Sequence, residues 1–217
     1  MIPTVIFGSE GISRETLTII DDINEKMPTY DFLGFVEDEE TKIGVNSLGY
    51  KVICSDNLFE DFCSNYEKVA VIIPQGNPKI KVKIYSKIQH IRNVFFPNII
   101  HPDVKVRESI KLGIGNIITS GVKMTCDIHI GNFNLLNLNV TVGHDTVIKD
   151  FNVINPLVSI SGGVQIGNRN LIGTGVNILQ YLQIGDDVTI GAGACLTKDA
   201  KDSGVYVGIP ARKIGGN

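Results

Sequence analysis

The stretch Ile160-Ser161-Gly162-Gly163-Val164-Gln165-Ile166-Gly167-Asn168-Arg169-Asn170-Leu171-Ile172-Gly173-Thr174-Gly175-Val176-Asn177-Ile178 places an aliphatic residue at every sixth position. Stepping by six in both directions extends the series from Ile100 to Leu196. It runs through Val106, Leu112, Ile118, Met124, Ile130, Leu136, Val142, Ile148 and Ile154, then through Ile184 and Ile190 beyond Ile178. Two residues earlier there is often a second aliphatic (Val104, Ile110, Val122, Ile128, Val140, Val158, Val164, Val176, Val188), with Asn or Thr between. Glycine often follows the repeat position, as at Gly113, Gly131, Gly143, Gly167, Gly173, Gly185 and Gly191. A period of six matches neither a helix nor a simple alternating strand of this length. It fits a short strand and a tight turn, three times per coil, with glycine or asparagine expected to take the backbone angles an ordinary side chain resists. Stacked coils then bury one continuous aliphatic column while parallel ladders satisfy the backbone. The register is unbroken from Ile100 to Leu196, enough for about five coils of eighteen residues.

Ahead of the repeat the pattern changes to alternating strands and helices. Val5-Ile6-Phe7 reads as a strand entering the loop Gly8-Ser9-Glu10-Gly11, followed by a helical pattern from Arg14 to about Lys26. Tyr30 to Val36 reads as a second strand that ends in the acidic turn Glu37-Asp38-Glu39-Glu40. Ser55-Asp56 is expected to cap a helix over Asn57–Tyr66, ahead of a strand at Val69–Ile73. Asn77-Pro78 combines an N-cap residue with proline at the first helical position, starting a helix that runs to about His90. Such alternation implies a parallel sheet, here a small Rossmann-like α/β domain. The expected organisation is therefore an α/β domain over 1–97 and a parallel β-helix with a C-terminal tail over 98–217, joined near Pro97–Pro102. In the Gly8–Ser13 loop, small residues let backbone N–H groups approach a phosphate at a helix N-terminus. With only two glycines the loop reads equally as a plain strand–helix turn.

Composition narrows the function classes. The 217 residues are 43% hydrophobic and 20% charged, a globular balance, and the formal net charge of −3 gives no basic surface for nucleic acid. No apolar run approaches the length of a membrane span. Met1-Ile2-Pro3-Thr4-Val5-Ile6-Phe7-Gly8 lacks a basic n-region and meets glycine too soon for a signal peptide. Cys54, Cys63, Cys126 and Cys195 lie far apart with no CxxC pair, so neither a zinc site nor a disulfide framework is expected. The sequence reads as soluble, reduced and cytoplasmic.

The hexads, with the tail Val207-Gly208-Ile209-Pro210-Ala211-Arg212, resemble the hexapeptide-repeat acyltransferases, whose repeats fold as a left-handed parallel β-helix. Several landmarks sharpen this: the Gly8–Ser13 loop followed by Arg14-Glu15, Gly34-Phe35-Val36-Glu37-Asp38, Phe96-Pro97-Asn98-Ile99-Ile100-His101-Pro102, and Asn137 to Asp145. They are similar to the branch that includes sialic-acid O-acetyltransferases and N-acetyltransferases of nucleotide-linked 4-amino sugars. That resemblance implies an acetyl-CoA-dependent N-acetyltransferase acting on a nucleotide-linked amino sugar in surface-glycan biosynthesis. It also implies a homotrimer that holds acetyl-CoA between subunits, with no metal. O-acetylation of sialic acid or a related sugar is the alternative on the same machinery.

Acetyl transfer from a thioester needs a base to take the acceptor's proton, and histidine is the usual choice. His90 ends a helix whose lysines (Lys79, Lys81, Lys83, Lys87) read as a solvated face, His101 lies at the domain junction, and His129 reads as a coil-surface residue. By resemblance His144 is the general base, Asp145 its acidic neighbour and Asn137 an active-site residue. Asn137 reads equally as a turn residue of an asparagine ladder. The resemblance also gives Gly162, Thr174 and Ala192 to a coenzyme A groove, with Lys198 and Arg212 as phosphate partners. It assigns Gly8, Ser9, Gly11, Ser13, Glu37, Asp38, Gly76 and Asn77 to the sugar nucleotide. A carboxylate at Glu37 or Asp38 can accept the N3–H of uracil or thymine, which favours UDP or dTDP and leaves GDP possible; a solvated acidic turn is the other reading of that run. One departure stands out: Val153 occupies the region where the family often has a second histidine. A non-catalytic scaffold remains as a reading from another class. A metal-dependent β-helix enzyme needs three histidine ligands, and only His129 and His144 lie well inside the repeat.

Overall fold

The computed structural model describes residues 1–47 and 49–215, so the last two residues of the expected second domain lie outside it. The first part of the chain is a six-stranded sheet with three helices. Its strands are β1 (Ile2–Phe7), β2 (Tyr30–Glu37), β3 (Asn46–Ser47), β4 (Tyr50–Ser55), β5 (Val69–Ile72) and β6 (Val94–Phe95), in the order β3-β4-β2-β1-β5-β6. All pairings are parallel except β3 with β4. The chain runs outward from β1 through β2 to β4, then returns to the other side of β1 as β5, which makes the β1/β5 boundary a topological switch point.

Three helices flank this sheet: α1 (Gly11–Lys26), α2 (Phe59–Cys63) and α3 (Pro78–Ile88). Asn77 caps α3 as expected, its Oδ1 accepting from Lys79 N at 2.9 Å. The helix expected over Asn57–Tyr66 is shorter. It begins at Phe59 without a side-chain cap, because Asp56 is engaged elsewhere, its Oδ2 accepting from Lys87 Nζ at 2.6 Å.

From Ile99 the chain winds into a β-helix of short parallel strands arranged in three sheets. Successive coils pair eighteen residues apart, for example Leu135 with Val153 and Thr141 with Ser159. The repeat aliphatics from Ile118 to Leu196 all point inward and are buried. Val106 is the exception: at the open end of the coil it joins no strand and is exposed.

The glycines after the repeat positions serve a different purpose from the one expected. The left-handed backbone falls two residues later in each turn, and it is tolerated by Asp127, Phe133, Asn139, Asp145, Phe151, Leu157, Arg169, Tyr181 and Asp187 as well as by glycine. The earlier glycines are required by packing between coils. A Cβ on Gly143 would lie 2.5 Å from Gly162 N, and one on Gly173 would lie 2.5 Å from Ala192 N. Asparagine also works elsewhere. Asn98, Asn116, Asn134, Asn152 and Asn170 stack at one corner, each Oδ1 accepting from the backbone N–H one coil on at 2.7–2.9 Å. The ladder stops at Val188, which leaves Asn170 Nδ2 buried without a partner.

The two halves share their packing. Leu17, Ile19 and Ile20 of α1 lie in one cluster with Phe35 and Ile72 of the sheet and with Ile99, Ile117, Leu135 and Val153 on the outer face of the coil. On the other side of the sheet, Tyr85 of α3 meets Phe96, Phe133 and Phe151, the last two stacked at 5.1 Å. His101 ties the junction, with Nε2 at 3.0 Å from Asp22 of α1 and Nδ1 at 2.9 Å from Asp103.

Candidate active site and nucleotide cavity

The coil has three kinds of corner, and the chemistry expected of His144 belongs to the one formed by residues 125–127, 143–145, 161–163, 179–181 and 197–199. Gly143 lets the chain pass close beneath Gly162, and Asp145 takes the left-handed conformation at φ 59°, which asparagine and aspartate tolerate better than most residues. The turn brings Asp145 Oδ2 to 2.7 Å from His144 Nδ1. A carboxylate there holds the proton on Nδ1 and leaves Nε2 as the acceptor. Both side chains are exposed.

The next coil supplies the floor. A Cβ on Gly162 would lie 2.6 Å from His144 Nε2, so only glycine leaves the ring where it is. Gly163 N donates to His144 O at 2.7 Å, and Gly162 O accepts from Tyr181 N at 3.0 Å. Gly162 N–H makes no hydrogen bond among the described residues. The Tyr181 ring covers Gly163 from the far side. Lys198 lies on the same corner, exposed.

The remaining expected residues are elsewhere. Asn137, Thr174 and Ala192 occupy the neighbouring corner (137–139, 173–175, 191–193), across the strand Thr141–Val142 from His144. Asn137 is buried and its Oδ1 accepts from Leu138 N at 2.7 Å; it takes no part in the ladder. Arg212 is exposed on the terminal strand Arg212–Gly215. Val153 lies fully buried beneath α1, so no histidine at that position could face a groove. His129 is exposed on the coil surface, as expected.

A second site lies at the switch point of the α/β sheet, where open α/β folds bind ligands at the carboxyl ends of their strands. A cavity of about 450 Å³ is lined by Gly8, Glu10, Gly11 and Ser13 after β1, Glu37 and Asp38 after β2, Gln75 and Gly76 after β5, and by one face of α3. That face is Ile80, Lys83, Ile84 and Lys87, at helical spacing. The turn at Gly8 has φ +91° and carries Gln75 against it, Gln75 Nε2 donating to Phe7 O at 2.8 Å. Ser9 and Asn77 do not line the cavity: Ser9 bonds Glu37, and Asn77 caps α3.

Of the helix lysines expected on a solvated face, Lys79, Lys83 and Lys87 are exposed and Lys81 is the exception. Lys81 is fully buried on the opposite face, Nζ donating to Phe133 O at 2.9 Å, and burial pushes its ammonium down to about 7. Lys83 and Lys87 line the cavity. Lys87 pairs with Asp56, and Lys42 pairs with Glu37 and Asp38 at 3.1 and 3.0 Å. Lys42 holds the Asp38 carboxyl below its usual range through that contact. Among the described cavity cations, Lys83 alone forms no ion pair. Sequence reading missed Lys42, Lys83, Lys87 and Asp56; the spacing of 83 and 87 with Ile80 and Ile84 was the available signal.

Residues 4–88 match the PglD N-terminal domain family. Among solved structures, the chain is similar to PerB from Caulobacter crescentus in complex with CoA and GDP-perosamine (TM-score 0.89, 24% identity, 98% of this chain and 97% of that one). It is similar to the acetyltransferase domain of PglB from Neisseria gonorrhoeae FA1090 in complex with acetyl coenzyme A (TM-score 0.87, 25% identity, 98% of each chain). It is also similar to WeeI from Acinetobacter baumannii AYE (TM-score 0.86, 25% identity, 99% of this chain and 100% of that one). A comparison with curated protein sequences gives no match. Residues 4–88 thus carry an α/β domain of the PglD N-terminal type, and the whole chain is similar in fold to the PglB acetyltransferase domain and WeeI, with a His–Asp pair on a corner of its hexad β-helix.

Proposed function

We propose that the protein is an acetyl-CoA-dependent N-acetyltransferase of a nucleotide-linked amino sugar, working in the cytoplasm in glycan biosynthesis. The observation that carries this reading is the His144–Asp145 pair at 2.7 Å over a floor that only glycine can form. With its proton held on Nδ1 by Asp145, His144 Nε2 accepts the proton of the attacking amine. Gly162 N–H, without a partner among the described residues, is available to the carbonyl oxygen as it gains negative charge. Acetyl-CoA would supply the acyl group as a thioester: the amine nitrogen bonds the carbonyl carbon, the C–S bond breaks, and coenzyme A leaves as the thiol with the proton taken up by His144. The bare Gly162 and the small Thr174 and Ala192 fit a narrow pantetheine arm, and Lys198 and Arg212 are the cations proposed for its phosphates. The cavity at the β1/β5 switch point fits the sugar nucleotide, with Gly8, Gly11, Ser13, Glu37, Asp38 and Gly76 on its wall. In PerB and the PglB domain the bound molecules are CoA with GDP-perosamine and acetyl coenzyme A, respectively.

Assembly as a homotrimer completes this reading. His144 and Asp145 are open to solvent on one corner while Asn137, Thr174 and Ala192 stand on another, so a groove between them needs a wall from a second chain. No helix among the described residues is long and apolar enough to cross a membrane. The test is a screen of UDP-, dTDP- and GDP-linked amino sugars with acetyl-CoA, following free thiol release and treating the product with hydroxylamine. An amide that survives is expected. A hydroxylamine-labile ester would move the reaction to a hydroxyl acceptor, and no thiol release with any of them would remove the proposal.

A further inference from the structure

The two carboxylates at the end of β2 are in different situations. Glu37 is buried, and both of its oxygens are taken: Oε1 accepts from Ser9 N at 2.7 Å and Ser9 Oγ at 2.6 Å, and Oε2 from Lys42 Nζ at 3.1 Å. Asp38 is exposed and, among the described residues, pairs with Lys42 alone. Ser9 belongs to the loop that delivers the first turn of α1, and the N–H groups of Gly11, Ile12 and Ser13 have no partner within the helix. Gly8 N is bonded to Val36 O, whereas Ser9 is held by side chains from two other strands, Glu37 at its N–H and hydroxyl and Ser47, whose Oγ donates to Ser9 O at 3.2 Å.

We propose that Glu37 is a positioning residue for the diphosphate of the sugar nucleotide and does not read its base. By fixing Ser9 across twenty-eight residues of sequence, it sets the path of the loop into α1 and so the direction of the free amides. By pairing with Lys42 it also offsets the charge of a second cation on the cavity wall, leaving Lys83 as the charge that meets the diphosphate. Asp38 remains as the carboxylate able to face a base. This rests on the sugar-nucleotide reading of the cavity.

The test separates base from phosphate with two sets of probes, the nucleosides uridine, thymidine and guanosine and the diphosphates UDP, dTDP and GDP, titrated by NMR and calorimetry. For whichever base the wild type prefers, Glu37→Ala is expected to weaken the diphosphate at least tenfold and the nucleoside by less than twofold. Lys83→Ala is expected to follow the same pattern. Glu37→Gln keeps an acceptor for Ser9 and should recover most of the binding, and Ser9→Ala combined with Glu37→Ala should be no worse than Glu37→Ala alone. In turnover, KM for the sugar nucleotide rises while kcat and KM for acetyl-CoA stay within about threefold. Equal weakening of nucleoside and diphosphate by Glu37→Ala would make Glu37 a base reader, and no weakening of either would leave it without a role in binding; both overturn the proposal. If the wild type binds none of the diphosphates, the sugar-nucleotide reading fails and this inference falls with it, whereas wild-type binding with an unaffected Glu37→Ala sinks the inference alone.

Discussion

Among the described residues His144 has one partner at Nδ1 and none at Nε2, and the ring rests on a glycine. That arrangement separates orientation from proton transfer, and two substitutions probe them apart. His144→Ala is expected to lower kcat by roughly 10²–10⁴-fold while leaving acetyl-CoA binding nearly intact, because only the base is lost. Asp145→Asn should cost less, since the ring keeps its place and loses only the charge that favours the Nδ1 tautomer. Steady-state kinetics with both substrates varied measures both, and near-normal turnover in His144→Ala would remove it from the mechanism. Gly162→Ala is the more local test. Its Cβ would sit 2.6 Å from Nε2, so the ring must swing away, and Gly162 has an ordinary φ that alanine can adopt. A kcat loss of at least tenfold with a Tm within a few degrees of wild type is expected; an unchanged kcat would mean that the ring is free to work from another position.

Helix α3 presents two stripes with opposite tasks: Ile80, Lys83, Ile84 and Lys87 face the cavity, while Lys81, Tyr85 and Ile88 face the interior and the coil. The buried Lys81 gives this interface a pH signature. Its ammonium titrates near 7 in the folded chain and near 10.5 unfolded, because burial penalises the charged form. Between those values the unfolded chain binds a proton that the folded chain does not. Stability therefore rises with pH across that window, by up to about 1.4 kcal/mol per pH unit, and falls as pH drops toward 7. Lys81→Met is expected to abolish this contribution, read as the difference between wild-type and variant denaturation curves at pH 7 and pH 9; parallel curves would show that the ammonium is not held in apolar surroundings. The same helix shows where sequence reading stopped. Its start was readable from Asn77-Pro78, because capping is local chemistry. Which of its lysines are buried depends on the coil corner carrying Phe133 and Phe151, of which Phe133 alone is already 52 residues from Lys81 in sequence and unrelated to it by any pattern. The coil strands were readable for the opposite reason, since each hexad repeats the same environment and the period itself encodes burial. Even there the glycines misled: composition marks them, but only the distance to the next coil reveals that they make room between coils and that the left-handed backbone falls at residues such as Phe133 and Tyr181. His144 and Asp145 became candidates through resemblance, and their 2.7 Å contact required the turn.

At the scale of the whole molecule, the three faces of the coil differ in what they can bind. One is covered over its first coils by α1. Another carries Lys111, His129, Val147, Gln165 and Gln183 outward, a surface polar but for Val147. The third carries Thr141, Ser159, Asn177 and Cys195, and its two rims expose Leu138 and Leu157 on one side and Leu179 and Tyr181 on the other. Leu157 and Tyr181 are 61% and 69% exposed, a cost that water-facing corner residues avoid and that contact with another chain would recover. The rims also bracket the candidate chemistry, with His144 on the rim of Tyr181 and Asn137 on the rim of Leu157. If this face packs against neighbouring copies, assembly and activity are one event, and Leu157→Arg separates them from folding. Arginine suits the site conformationally, because Arg169 takes φ 57° at the equivalent position of another corner, close to the 62° of Leu157. The expected outcome is wild-type-like far-UV circular dichroism with a single cooperative melt at a Tm lowered by the lost subunit contacts, a shift from trimer to monomer by light scattering at micromolar concentration, and loss of turnover. A trimer that survives Leu157→Arg would place the interface on another face, and a wild-type monomer with full activity would mean that one chain closes the groove on its own.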